Sequence, residues 1–262
     1  MAKYTLIYDL LRERGLLPAS SIVIPEEAAR EDLARVHTED YLQRLFKTGL
    51  SALEQRALGV PWTPRLLRRS RLAVQGTLLA TRAALADGRA GNLAGGTHHA
   101  FADHGEGFCV LNDVAITIRR LQHEGLLRSA LVIDLDVHQG NGTAAMATDE
   151  DRIFTFSMHG DKNYPYHKET SDLDLPLPDY IEDKTYLSLL NETLDELFEK
   201  VKPEMVFFQS GVDVLESDKL GRMGLSLNGC KERDIAVISR CYRQSIPLII
   251  NMGGGYSPEI KT

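Results

Sequence analysis

Cysteine is scarce in this chain of 262 residues: three, Cys109, Cys230 and Cys241, with no CxxC spacing among them. An odd, sparse set argues against a disulfide scaffold and suits a reducing compartment. Long apolar runs are missing too. No stretch approaches the roughly 18 apolar residues that a membrane span needs, and the opening MAKYTLIYDLLRERG is charged where a signal peptide is apolar. The expectation is a cytoplasmic protein with no membrane partner. Nor is there an excess of basic charge. The net charge is −7, so no positive field is available to hold nucleic acid non-specifically. The cluster Arg65, Arg68, Arg69 and Arg71 reads as a solvated helix face. Repeats, low-complexity tracts and Pro/Gly/Ser linkers are absent as well, which leaves a single domain over 1–262 as the simplest reading.

What is present is the patterning of a globular α/β chain, with 43% hydrophobic and 26% charged residues. Four short β-branched runs, 129–137 (SALVIDLDV), 152–158 (RIFTFSM), 204–212 (EMVFFQSGV) and 246–252 (IPLIINM), read as strands buried on both faces. A further short strand is expected over 92–95. The N-terminal third reads as helical, with Pro25-Glu26-Glu27 as a helix start and a helix over 71–86 stopped by Asp87-Gly88. Leu187, Leu190, Leu194, Leu197 and Val201 form one apolar stripe. Strands alternating with helices predict a three-layer α/β/α sandwich around a mostly parallel sheet.

Open α/β sheets bind ligands beyond the carboxyl ends of their strands, and the polar motifs fall there. Asp134, Asp136 and His138 close the first run, Ser157 and His159 the second. Asp213 follows the third, Gly253-Gly254-Gly255-Tyr256 the fourth, and His98-His99 the short strand. Residues i and i+2 of a strand share a face about 7 Å apart, so Asp136 and His138 can converge on one metal ion, with Asp213 as a third ligand. Alone, Asp-x-His is as readily a hydrogen-bonded loop pair. Two carboxylates and one imidazole leave a coordination position open, as catalytic zinc requires, and oxygen-rich ligation of this kind also accepts Fe²⁺. His98 and His99 are either a core and a surface histidine or a proton-transfer pair. In the second case one takes a proton from the attacking water and the other protonates a leaving group. Tyr256 either packs as an ordinary aromatic or donates its hydroxyl proton to an oxyanion.

Taken together, the strings GGTHHAFADHGEGFCVLNDVA, VIDLDVHQGNGTAAM, FSMHG, SGVD…DKLGRMGLS and MGGGYS resemble the histone deacetylase superfamily, most of all its bacterial and class IV-like members. The resemblance runs in order from about residue 34 to 257. It implies the arginase/deacetylase-like fold, with a sheet of about eight strands, and hydrolysis of an N-acyl amide, typically N-acetyl-lysine in a protein or a small acylated amine. It implies zinc ligands at Asp136, His138 and Asp213, tandem catalytic histidines at His98 and His99, and a carbonyl-polarising tyrosine at Tyr256. Gly107 and Phe108 match the acyl-lysine tunnel, and Tyr164 stands where a second tunnel aromatic usually sits. Asp134, Ser157 and Met158, with backbone oxygens of Asp136 and His138, match a monovalent cation site for K⁺ or Na⁺.

Three departures matter. Asn141 replaces an Asp that usually partners one tandem histidine. An uncharged partner leaves that ring less basic, whereas Asp134 favours the cationic form of the other, His98. The segment 160–178 replaces a Gly-rich stretch and is expected to shape the tunnel rim; Asp172 and Asp174 lie in it, as an acidic gate for polyamines would. The chain stops at Thr262, six residues after Tyr256, where family members usually continue, so truncation of the C-terminus is one expectation. Against the arginase-like ureohydrolases stand Gly140 and Gly211, where their two-metal site needs carboxylates. A catalytically silent acyl-lysine-binding module and an acetylpolyamine hydrolase stay open as alternatives. Substrate identity and oligomeric state are not legible.

Overall fold

The computed structural model describes residues 2–258; the chain end at Thr262 lies outside them. Six strands form one sheet in which every pairing is parallel: β1 (Arg89–Asn92), β2 (Ala130–Asp134), β3 (Ile153–Gly160), β4 (Leu173–Leu177), β5 (Met205–Gln209) and β6 (Leu248–Asn251). Their spatial order is β1-β6-β5-β2-β3-β4. The period of two sorts the sheet's residues onto two faces. Leu131, Ile133, Phe156, Met158, Val206 and Phe208 meet Tyr186, Leu190, Leu194 and Leu197 of α8 (Asp183–Val201) and Cys230, Ala236 and Val237 of α9 (Leu227–Arg243). Ala130, Val132, Ile153, Met205 and Phe207 meet Leu78 and Ala84 of α5 (Pro64–Asp87) and Val114, Ile118 and Leu121 of α6 (Asp113–His123). This is the α/β/α sandwich expected. A third cluster, around Leu33, Tyr41, Leu42, Leu45 and Leu58, packs the N-terminal helices onto Val110, Leu111 and Ile116.

The sheet has six strands among the described residues rather than about eight. Among the described residues outside the helices, the remaining β-branched run is too short to pair: Ile22, Val23 and Ile24 are only three residues, with Val23 and Ile24 exposed in coil. The short strand lies at Arg89–Asn92, not 92–95, because the Asn92 side chain accepts from Ala94 N (3.0 Å) and turns the chain out of the sheet. β4 was not expected. It is an edge strand that holds Pro176, a place proline tolerates.

The helix expected over 71–86 begins seven residues earlier, at Pro64. Thr63 caps it by accepting from Leu66 N (3.1 Å), with proline in the first turn. Gly88, at φ 87°, ends it as expected. The helix start at Pro25 does not occur; the next helix is Arg30–Leu33. No capping side chain precedes Pro25, and Glu27 instead pairs with Arg68 (3.1 Å) and Arg71 (2.5 Å) of α5. No helix among the described residues is long and apolar enough to cross a membrane.

The strand order places the site. From β2 the chain builds outward through β3 and β4, then returns to lay β5 on the other side of β2. At such a reversal the loops leaving adjacent strands part in opposite directions and open a crevice. The loop after β2 carries Asp136 and His138, and the loop after β5 carries Asp213.

Candidate active site

Asp136, His138 and Asp213 each offer a buried ligand atom, all within 4.8 Å of one another. His138 Nδ1 faces both carboxylates, 3.0 Å from Asp136 Oδ1 and 3.2 Å from Asp213 Oδ2. Backbone amides fix the rest: His138 N donates to Asp136 Oδ1 (3.0 Å), Gly254 N to Asp136 Oδ2 (2.7 Å) and Val137 N to Asp213 Oδ1 (3.0 Å). Asp213 Oδ2 is buried without a hydrogen bond; its approach to His138 is a matter of charge, not of donor geometry. A carboxylate oxygen left so in the interior is costly unless a cation meets it. Burial works to neutralise His138, yet its hydrogen bond to Asp136 and the charges of Asp136 and Asp213 raise it to about 10. Burial and the charge of Asp136 push Asp213 up to about 6. The cradle therefore favours positive charge between its carboxylates, and its hard oxygens and single imidazole suit zinc or Fe²⁺.

Glycine is required where the last loop crosses this cradle. A Cβ on Gly254 would fall 1.8 Å from Asp213 Oδ2, so only a bare backbone can bring the Gly254 amide to Asp136.

His98 and His99 lie beside the cradle, buried, with ring centroids 4.1 Å apart. His98 Nδ1 is 2.7 Å from Asp134 Oδ2, and His99 Nδ1 is 2.7 Å from Asn141 Oδ1. Both Nδ1 atoms are thus engaged away from the cradle. Burial lowers both rings, and the outcomes part. The charges of Asp134 and Asp136 outweigh burial at His98 and push it up to about 9. His99, next to that charge and paired with an amide, stays well below the usual histidine range.

A cavity of about 490 Å³ opens onto these groups, lined by His98, His99, Phe108, Asp136, His138 and Tyr256 among others. Gly107 lines it too. The Phe108 ring stands 6.1 Å from that of Tyr256. Tyr164 packs edge-on against His99, with centroids 5.1 Å apart, but is not among the residues that line the cavity. Burial, with Asp136 and Asp213 nearby, raises the Tyr256 phenol and keeps it protonated. Asp134 faces Ser157 across the β2–β3 pairing, and Met158 follows, fully buried. Asp172 and Asp174 form no acidic gate. Asp172 accepts from Thr155 N and Oγ1 (2.8 and 2.9 Å), and Asp174 from Gln139 Nε2 (2.8 Å) and Ser171 N (2.8 Å).

Four contributors escaped the sequence reading. Arg233 is fully buried. Its Nη1 donates to Leu135 O (3.2 Å) and Gly211 O (2.5 Å), beside the loops that carry Asp136 and Asp213. A charged residue in register with Cys230, Val237 and Cys241 on an apolar helix stripe was the available signal. Lys3 donates to Gly253 O (2.9 Å), and Arg69 lines the cavity rather than facing solvent alone; no local pattern announces either. Glu106 lies between two glycines of the tunnel loop and accepts from Asn141 Nδ2 (3.0 Å) and the Tyr164 hydroxyl.

The sequence profile of the histone deacetylase domain matches residues 1–261. A protein of Picosynechococcus is 42% identical over 99% of this chain and 87% of its own length. Histone deacetylase 2 of Arabidopsis thaliana is 31% identical over 97% of this chain and 68% of its own. The acetoin utilization protein AcuC of Bacillus subtilis is 30% identical over 85% and 63%. A crystal structure of a histone deacetylase homologue from Aquifex aeolicus superposes with TM-score 0.82 at 26% identity, covering 97% of this chain and 73% of that one. A homologue complexed with SAHA also gives 0.82, at 25% identity over 96% and 72%.

Proposed function

Because the chain belongs to the histone deacetylase family, we propose that it hydrolyses the side-chain amide of acylated lysine, acetyl-lysine first, in a peptide or protein, or the amide of a small acylated amine. On this reading residues 1–262 act as one catalytic domain, with zinc held by Asp136, His138 and Asp213. The observation that carries it is the meeting of that cradle with two histidines whose Nδ1 atoms are engaged elsewhere. When bound, the ion supplies Lewis acidity toward the acyl carbonyl and the attacking water.

The chain's own groups do the rest. His99, neutral and with Nδ1 held by Asn141, takes the water proton at Nε2. His98, held cationic by Asp134, returns a proton to the departing amine. The Tyr256 hydroxyl donates to the oxyanion that develops on the acyl oxygen. Gly107 and Phe108 hold the alkyl stem of the substrate and keep bulk water out. Asp134 and Ser157, paired in register, together with Met158, form a seat for K⁺ or Na⁺ that would brace the loop of Asp136.

The test is a panel of acetyl-lysine, longer acyl-lysine and acetylpolyamine substrates offered to zinc-loaded protein. Turnover is expected, lost on chelation and restored by zinc. Tyr256→Phe should cost kcat roughly 10²-fold, as for one oxyanion donor, with zinc content and KM little altered. Full zinc occupancy without turnover of any substrate would refute the reading in favour of a binding module.

A further inference from the structure

Asn141 serves two neighbours at once. Its Oδ1 is 2.7 Å from His99 Nδ1, and its Nδ2 donates to Glu106 Oε1 at 3.0 Å. A carboxamide has one accepting end and one donating end, and a half-turn exchanges them. With Oδ1 toward His99, the ring must carry its proton on Nδ1 and leaves its lone pair on Nε2. With the amide turned over, an NH₂ meets Nδ1, the lone pair moves there, and Nε2 carries the proton. The direction in which Asn141 points therefore selects the tautomer of His99.

A carboxylate accepts and cannot donate. Burial pushes Glu106 up, but the nearby His104 and hydrogen bonds from Tyr164 and Asn141 hold it at about 2, so it is ionised. Its position is fixed as well. The Tyr164 hydroxyl donates to the same oxygen, and His104 Nε2 lies 3.7 Å from the other. The backbone forms a tight turn, with Gly107 and Phe108 at φ 51° and 69°. Glu106 N donates to Cys109 O (3.0 Å) and Cys109 N to Glu106 O (2.8 Å), while Phe108 N donates to Leu58 O (2.8 Å). Two consecutive positive φ values belong to a type I′ turn.

We propose that Glu106 is a positioning residue: by accepting from Asn141 Nδ2 it locks the amide with Oδ1 toward His99, and so holds His99 as the Nδ1–H tautomer with its Nε2 lone pair turned into the cavity. The effect on rate rests on the deacylase reading above; the tautomer rests on the hydrogen-bond geometry alone. His98 needs no such lock, because Asp134 is a carboxylate and accepts with either oxygen. An amide at 141 does need one, and the carboxylate behind it supplies the missing constraint.

The experiment pairs Glu106→Leu and Glu106→Gln with Asn141→Asp, singly and combined, in zinc-loaded full-length protein. It reads kcat, KM and the long-range ¹H–¹⁵N spectrum of ¹⁵N-histidine-labelled protein. Wild type is expected to show His99 with its proton on Nδ1. Each Glu106 variant should lose roughly 10- to 100-fold in kcat, with KM little changed, and show His99 shifted toward the Nε2–H form. Asn141→Asp alone should also lower kcat, because it sets two carboxylates face to face. Combined with Glu106→Leu it should restore kcat to within about fivefold of wild type, since an aspartate has no donating end to turn toward His99. Glu106→Gln keeps the loop polar and covers the case in which leucine disturbs folding. An unchanged tautomer in the Glu106 variants, or no rescue by Asn141→Asp in folded protein, overturns the proposal. If wild type turns over no acyl substrate, the deacylase reading fails, and the spectra still decide the tautomer.

Discussion

On the proposed reading that Asp136, His138 and Asp213 hold zinc, alanine at position 254 is expected to strip the metal from the protein although it changes no ligand. The new methyl would lie 1.8 Å from Asp213 Oδ2 and 3.0 Å from Asp136 Oδ2, well inside van der Waals contact. Two responses are open. The carboxylate of Asp213 rotates away and the third ligand is lost. Otherwise the 253–255 loop retreats, and Asp136 loses the 2.7 Å hydrogen bond from Gly254 N that orients it. Either way the two carboxylates no longer converge, and the several kcal/mol that a metal contributes to stabilising the transition state go with them. At about 1.4 kcal/mol per factor of ten, kcat/KM should fall roughly 10³-fold. Overpacking should cost the fold only about 1–3 kcal/mol, so the protein stays folded and its metal can be counted. Elemental analysis of purified Gly254→Ala, set beside its turnover, checks this; wild-type zinc content would show that the loop accommodates the methyl.

Arg233→Met is expected to destabilise the fold by about 2–4 kcal/mol. Two effects oppose each other here. Burying a guanidinium completely is expensive, and removing it recovers that cost. Against this, Arg233 satisfies the carbonyls of Leu135 and Gly211, which methionine cannot, and it donates to Ser210 Oγ (3.1 Å) and Asp234 Oδ1 (2.7 Å). Each buried carbonyl left without a donor costs about 1–3 kcal/mol, and there are two, so the loss prevails. Asp234 is partly exposed and water can meet it, which keeps the estimate at the modest end. Lysine should rescue little, because one ammonium cannot span the fork that the guanidinium fills. Unfolding of metal-free protein in urea isolates the effect from metal-linked stability. Zinc affinity should drop as well, roughly 10- to 100-fold, since the arginine braces the backbone beside two ligand loops. A change below about 1 kcal/mol would mean that the carbonyls find water instead.

How far the sequence reached is clear from particular residues. The runs that became β2, β3, β5 and β6 were legible because strands buried on both faces must be apolar throughout, and little else in a chain of this composition looks alike. Asp136, His138 and Asp213 were legible as candidates because each sits just past such a strand. The start of α5 was missed although Thr63-Pro64 announces it, since the apolar pattern is weak through its first, arginine-rich turns. β4 was missed because an edge strand half exposed to water need not be apolar, and its proline reads as a break.

Sequence by itself determined the layered α/β/α class, the strand ends where polar residues collect, and the family, because these depend on local periodicity and on motif order. Tertiary structure alone decided that β5 returns beside β2, which brings Asp213 to Asp136 and His138. It alone decided that Arg233 reaches the backs of the ligand loops, that Asp172 and Asp174 are spent on the sheet edge, and that Glu106 stands behind Asn141. Each of those facts is a contact between residues far apart in the chain, made by strand order and by the direction of a side chain, and neither leaves a periodic trace in the residues themselves.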